Sequence, residues 1–151
     1  MSLVTNLLDE FPIPLEIISH DSEIRGKVRL QKLVFLSQVQ LGKKYDFEFE
    51  PAPLGPLSDR VNYLLGRMTE LGIIEEKIKS TASGNDVYCY RITATGKKFL
   101  ESAKQNKVLS KEEIKTIDSV FKKYGKMSYV ELLDLVHKKY PEYHLKEVTL
   151  Y

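Results

Sequence analysis

The chain has 151 residues, of which 42% are hydrophobic and 29% charged, and a formal net charge of +2. That is one ordinary domain, or a small domain with an extension, of soluble globular composition, and the net charge by itself argues for no nucleic-acid partner. No apolar run approaches the roughly 20 residues that span a bilayer, no basic segment followed by an apolar core opens the chain, and the single cysteine, Cys89, allows no internal disulfide, so a cytoplasmic protein without a membrane partner is expected.

Val4–Phe11 and Leu15–Ser19 are short apolar segments separated by Pro12 and Pro14, a pattern that predicts a broken or kinked N-terminal helix. Asp21–Gly26 reads as a polar loop. Lys27–Leu41 carries the strongest helical signal. Its apolar residues, from Val28 and Leu30 to Val39 and Leu41, fall nearly all round the wheel, so the helix is expected to be buried from several directions or to form a dimer interface. Gly42 ends it, and Lys43 and Lys44 stand where cations favour the C-terminal dipole.

Tyr45–Glu50 alternates apolar and acidic residues and predicts a short strand with one negative face. Asp46, Glu48 and Glu50 on that face read as solvated carboxylates, not as acid–base catalysts. Pro51, Pro53, Gly55 and Pro56 then force a rigid turn. Ser58 caps an amphipathic helix, Ser58–Leu71, with Leu57, Val61, Leu64, Leu65, Met68 and Leu71 on its apolar side. Asp59, Tyr63, Gly66 and Glu70 lie on the opposite side.

Two β-prone runs follow, Ile73–Lys79 and Val87–Thr93, around the polar turn Ser80–Asp86. Cys89 falls in the second run, where a buried, apolar-like role is expected. Thr93 or Thr95 opens another helix at once. After Lys107 a helical pair is predicted, each member opened by a capping-box sequence, Ser110–Glu113 and Ser128–Glu131. The first is expected to bury Ile114, Ile117, Val120, Phe121 and Tyr124 before Gly125 stops it. The second is expected to bury Val130, Leu133, Val136 and Tyr140.

Helix, hairpin, helix is the layout of a winged helix, and Tyr90–Glu101 (YRITATGKKFLE) resembles the second wing strand and following helix of many bacterial and archaeal winged-helix regulators. The expected fold is therefore α+β: a mostly helical winged helix-turn-helix with a β-hairpin wing over residues 1–107, and a C-terminal helical pair over 108–151 packed on it.

Charge is segregated along the chain. Residues 1–24 hold five acids and no Lys or Arg, for −5; residues 25–44 hold six Lys or Arg and no acid, for +6; residues 93–107 hold four Lys and one Glu, for +3. Such segregation builds a basic face, or else the segments pair with each other. Nucleic-acid binding needs cations at phosphate spacing and a protruding element that fits a groove. Arg60, Asn62, Tyr63 and Arg67 on the Ser58–Leu71 helix are placed to enter a major groove of double-stranded DNA, with Lys77, Lys79 and Arg91 on the hairpin contacting phosphate. Asp59 and Glu70 share that helix face and oppose phosphate. No enzyme motif is present: there is no Gly-rich phosphate loop, His-Glu-x-x-His, Cys-x-x-Cys or Gly-x-Ser-x-Gly. His20, His137 and His144 are scattered, although the last two meet if the tail folds back. No catalytic residue, metal or cofactor is expected.

Three segments carry a second resemblance: Arg29–Leu36 (RLQKLVFL), Pro53–Val61 (PLGPLSDRV) and Tyr124–His137 (YGKMSYVELLDLVH). The Leu-Gln-Lys-Leu helix, the Gly-Pro-x-Ser turn and the closing Leu-x-x-x-His resemble the Panacea (SocA-like) domains and the related YwgA-like proteins, from about Arg25 to Pro141. Leu54 stands where an aromatic often precedes the Gly-Pro, and the last helix ends Lys-Tyr-Pro where a Pro-Trp close is expected. Panacea domains occur in antitoxins and phage-associated proteins, so this resemblance implies a toxin-like protein partner as the alternative to DNA. A homodimer through the C-terminal helices or the N-terminal segment is expected, because the Lys27–Leu41 helix and the C-terminal pair together offer more apolar surface than one small domain readily covers; the alternative is that the C-terminal pair covers the core of its own chain.

Overall fold

The computed structural model of the chain describes residues 7–42 and 47–145. The fold is α+β: a set of helices packs with a small three-stranded antiparallel sheet. Helix α1 (Leu7–Glu10) leads into α2 (Pro12–Ser19), in which Pro12 takes the first position, where no N–H is needed. The prolines thus open a helix and do not merely break one. Ile13, Leu15, Ile17 and Ile18 are all buried.

Strand β1 (Ile24–Arg25) lies inside the segment expected to be a polar loop. Two residues give no periodicity to read. Their pairing is decided by β3, with Ile24 opposite Tyr90 and Arg25 opposite Cys89.

Helix α3 (Lys27–Leu41) has the expected bounds. It packs against α2, against β1, and against two helices from the far end of the chain, α6 (Lys111–Tyr124) and α7 (Tyr129–Lys139). Leu30, Leu33, Val34, Phe35 and Leu36 are buried as a result. Most of the many-sided apolar surface of α3 is therefore covered within the chain, while Val39 near its end is 43% exposed.

The strand expected over Tyr45–Glu50 does not form among the described residues, and its first two positions, with Lys43 and Lys44, lie outside them. The alternation itself is kept: Phe47 is buried and Phe49 half-buried, while Glu48 and Glu50 are exposed. What is missing is a partner strand. Gln38 supplies the pairing instead, with Nε2 donating to Phe47 O at 3.0 Å and Oε1 accepting from Phe47 N at 2.8 Å. A single bridge, Glu50 to Leu57, closes the loop.

Helix α4 (Asp59–Glu70) is capped by Ser58, whose Oγ accepts from Val61 N at 3.2 Å. Val61, Leu64, Leu65 and Met68 are buried, whereas Leu57 and Leu71, just beyond the helix ends, are 40% and 48% exposed. Strands β2 (Ile74–Ser80) and β3 (Asp86–Ile92) form the expected hairpin, in register from Ile74–Ile92 to Ser80–Asp86. The sheet order is β1-β3-β2. Cys89 is buried, as read from the sequence. Thr93 caps α5 (Ala94–Gln105), its Oγ1 accepting from Gly96 N at 3.0 Å.

Ser110 and Glu113 complete a reciprocal capping box at α6. Ser128 caps α7 by accepting from Glu131 N at 3.1 Å. Val130, expected in the core, is 70% exposed. The buried stripe of α7 runs instead through Leu132 and Val136, an i, i+4 pair, with Leu133, Leu135 and Tyr140 half-buried. A 3-10 turn, Pro141–Tyr143, follows, and Tyr140 and Tyr143 both set their rings edge-on to Phe35 at 5.1 and 4.9 Å.

Candidate functional site

The polar face of α3 organises a cavity. Gln31 and Gln38 are seven residues apart, so they lie on one face of the helix. Each presents its amide to the backbone of one loop residue. Gln31 Oε1 accepts from Ser58 N at 2.9 Å, and its Nε2 donates to Ser58 O at 2.9 Å and to Asn62 Oδ1 at 3.0 Å. Gln38 does the same for Phe47. The two glutamines therefore pin both ends of the 47–58 loop to α3. Between them the loop stands off the helix at Ala52–Leu57. The gap is a cavity of about 250 Å³ lined by Val28, Pro53, Leu54, Pro56 and Leu57, with Lys27, Gln31, Lys32 and Asn62 supplying its polar groups.

Lys32 is the unusual member of this wall. Its side chain is 1% exposed, yet its ammonium meets no carboxylate among the described residues. Nζ donates to the carbonyl of Leu54. Burial pulls the Lys32 pKa down to about 8, because the charged form loses its hydration. Gly55 makes room for it: φ is +101°, and a Cβ there would come within 3.1 Å of Nζ. The mouth is apolar, with Leu54 46% and Leu57 40% exposed.

The residues read as DNA contacts fall into three groups. At the start of α4, Arg60 pairs with Glu10, donating from Nε to Oε1 at 2.9 Å and from its terminal nitrogen to Oε2, and this pairing raises its pKa. Its guanidinium also lies 5.2 Å from the ring of Tyr63, which is half exposed. Asn62 is held by Gln31 and faces the cavity. At the other end of α4, Arg67 bonds Glu70 at 2.5 Å. On the hairpin, Lys77 and Arg91 converge on Glu75 at 3.3 and 2.5 Å, and hydrogen bonding from Arg91 first, then Lys77, holds that carboxyl below its usual range. Lys79 bonds Glu23 at 2.8 Å and depresses it likewise. Each of the five cations thus stands against a carboxylate. Three acids of the N-terminal segment find basic partners, Glu10 with Arg60, Glu23 with Lys79 and Glu16 with Lys104. The basic segment behaves differently: Lys27 lies over the Tyr88 ring, Arg29 donates to the carbonyls of Gly125 and Met127, and Lys32 turns inward.

The histidines are less scattered than their spacing implies. His137 and His144 do meet, with ring centroids 3.8 Å apart. His20 bonds Asp118 at 2.5 Å, stacks on Phe121, and lies with Glu16 in a group whose ligand atoms are within 4.8 Å of one another. Glu16 is already paired with Lys104 there.

The cavity itself was not among the sites read from the sequence. Its signal was the Gln-Lys pair inside a helix apolar on nearly every side, which leaves two polar groups no route to water. Fold and cavity together define a small α+β domain in which the turn Pro53–Ser58 is clamped against a central helix. The family model described as antitoxin SocA-like, Panacea domain, matches residues 30–142, three quarters of the chain, and the protein belongs to that family. No curated protein matches. The match takes in Gln31, Lys32 and the whole 53–62 side of the cavity. Among the described residues no helix is long and apolar enough to cross a membrane.

Proposed function

We propose that the protein is a non-enzymatic, antitoxin-like module that works by binding a toxin-like protein partner. Membership of the Panacea family carries this reading. Two features of the surface agree with it. The cations best placed for phosphate are neutralised by Glu10, Glu23, Glu70 and Glu75. The cavity mouth offers Leu54 and Leu57, the kind of exposed apolar rim that protein interfaces bury. The test is genetic and then biochemical. The product of the adjacent gene should arrest growth when expressed alone, be neutralised by this protein, and co-purify with it at 0.5–1 M salt, about where electrostatic contacts are screened. A harmless neighbour and a protein that purifies alone would remove this reading.

The order α2-β1-α3-α4-β2-β3, with the outer face of α4 free, favours a second reading, a winged helix that binds double-stranded DNA as a transcriptional regulator through Arg60, Asn62, Tyr63, Arg67, Lys77, Lys79 and Arg91. A phosphate would have to displace a carboxylate from each cation, so binding should be weak and steeply salt-dependent. Titration against duplex DNA at low salt decides it, and no binding at tens of micromolar protein ends it. A homodimer would have to use surfaces other than the buried part of α3, such as Tyr129 and Val130 at the start of α7. Light scattering at micromolar concentration reads the mass directly.

A further inference from the structure

The α3–loop cavity holds a cation that the fold does not neutralise. A buried ammonium normally finds a carboxylate, because a charge taken out of water is costly unless it is paired. Among the described residues Lys32 has only the Leu54 carbonyl, so one of its three protons is used. Every other basic side chain described above is either paired with an acid or lies in part at the surface. Lys32 is one of the residues lining a space of about 250 Å³, together with Val28, Pro53, Leu54, Pro56 and Leu57. Among the described residues nothing anionic lines it: Gln31, Asn62 and Lys27 are the other polar groups, and Gln31 and Asn62 are already bonded to each other.

We propose that this cavity is a binding site for an apolar carboxylate, whose hydrocarbon part packs on Val28, Pro53 and Leu57 while its carboxylate accepts from Lys32 Nζ. The volume suits one branched or aromatic side-chain-sized group and excludes a nucleotide or a sugar phosphate, since cavities for drug-sized ligands run from about 300 Å³ upward. The anion is required by the charge, because an apolar ligand alone would leave the ammonium more deeply desolvated than before. A phosphate of the same size would bring a second charge with no second cation to meet it, as Lys27 is turned onto the Tyr88 ring 4.5 Å away. The lowered pKa of Lys32 agrees with an ammonium still lacking its counter-ion. The same chemistry is offered by a free monocarboxylic acid and by a chain-terminal or acidic residue of a protein segment.

The experiment is a ¹⁵N–¹H correlation titration of the full chain at pH 7 with 3-phenylpropanoate, 3-methylbutanoate and the neutral 3-phenylpropan-1-ol, and with a tetrapeptide ending in leucine as its free acid or its amide. The acids should give saturable shifts confined to residues 27–32 and 52–62, at least tenfold tighter than the alcohol. Lys32→Met should erase that preference while keeping whatever weak affinity the alcohol has. Affinity of the acids should fall about tenfold for each pH unit above 8, as the free ammonium loses its proton. Binding of the free acids assigns a small-molecule ligand. Binding of the peptide acid alone, and not its amide, assigns a protein segment. No saturable shift from any acid at 20 mM, or equal affinity of acid and alcohol for the unmodified protein, overturns the proposal, and this comparison holds even if Lys32→Met does not fold.

Discussion

Gln31, Lys32 and Gln38 decide what α3 does beyond filling the core. Each is a polar residue on a helix whose other faces are apolar, and each is turned to a loop that has no regular structure of its own. A buried backbone pair left without partners costs about 1–3 kcal/mol. The two glutamines remove that cost for Ser58 and Phe47, which is why the 47–58 loop can stand where it does. Lys32 works in the opposite sense. Its pKa is lowered from 10.5 to about 8 on folding. Between those values the unfolded chain carries a proton that the folded chain has lost, so stability rises with pH across that window. Below pH 8 both states are protonated and the folded state bears the full cost of the buried ammonium, about 3 kcal/mol at most. Tyr90 acts the other way at higher pH. Burial, with Glu76 beside it, pushes its hydroxyl up, so stability falls once the unfolded tyrosine ionises near pH 10. Urea unfolding of the wild type should therefore show a gain from pH 8 to about 9.5. Lys32→Met should abolish that gain and should be the more stable protein at pH 7 by about 1–2 kcal/mol, because an apolar side chain of similar length replaces an unpaired charge. A variant that keeps the rise would place its origin elsewhere.

The elements that were legible in the sequence are those whose signal is local. The bounds of α3 follow from its apolar run and Gly42, the hairpin from its alternating runs around Ser80–Asp86, and α6 from its capping box. The elements that were not legible take their form from a distant partner. β1 exists because β3 lies beside it. The Phe47–Glu50 segment keeps a strand's alternation but meets a glutamine where a strand would be. Val130 is exposed because the apolar stripe of α7 starts two residues later, at Leu132. The Thr93-Ala94-Thr95-Gly96 start of α5 is local and tertiary at once. Thr93 caps the helix and also donates to the carbonyls of Gly72 and Ile73 at 2.6 and 2.9 Å, tying the helix to the end of α4 and the root of the hairpin. Gly96 permits that contact. A Cβ there would sit 2.0 Å from the Ile73 carbonyl oxygen and 2.8 Å from Ile92 Cγ1. Because the nearest atom is backbone, the clash cannot be relieved by a rotamer change. Gly96→Ala should therefore cost about 3 kcal/mol or more, despite alanine's better helix propensity. Gly66→Ala, on the exposed face of α4 with nothing within 4 Å of the added methyl, should stabilise by about 0.5–1 kcal/mol. Thermal unfolding of the two variants side by side checks both signs.

At the scale of the whole molecule, one core crosses residue 107. One hydrophobic cluster runs from Phe11 to Val136 and includes Leu109, Ile117, Val120, Phe121, Tyr124 and Leu132 from beyond that point. The links between the two parts are of several kinds. α6 packs on both α2 and α3, and α7 packs on α3. Arg29 donates to Met127 O at 2.6 Å, His20 bonds Asp118 and stacks on Phe121, and Phe35 takes the rings of Tyr140 and Tyr143 on its edge. Removing residues after Lys107 would expose the side of α3 that these helices cover. Fully burying one Leu, Ile, Val or Phe is worth about 1.5–3 kcal/mol, and native domains hold only about 5–15 kcal/mol in all. Losing contacts to six such residues, about 9–18 kcal/mol, is as large as that reserve. A fragment ending at Lys107 should therefore lack a cooperative unfolding transition and bind hydrophobic dyes. The full chain should unfold in a single step, with fluorescence and far-ultraviolet circular dichroism coincident in urea. A fragment that melts cooperatively, with the hairpin and α4 intact by amide exchange, would show that the helix–hairpin–helix part is a domain in its own right.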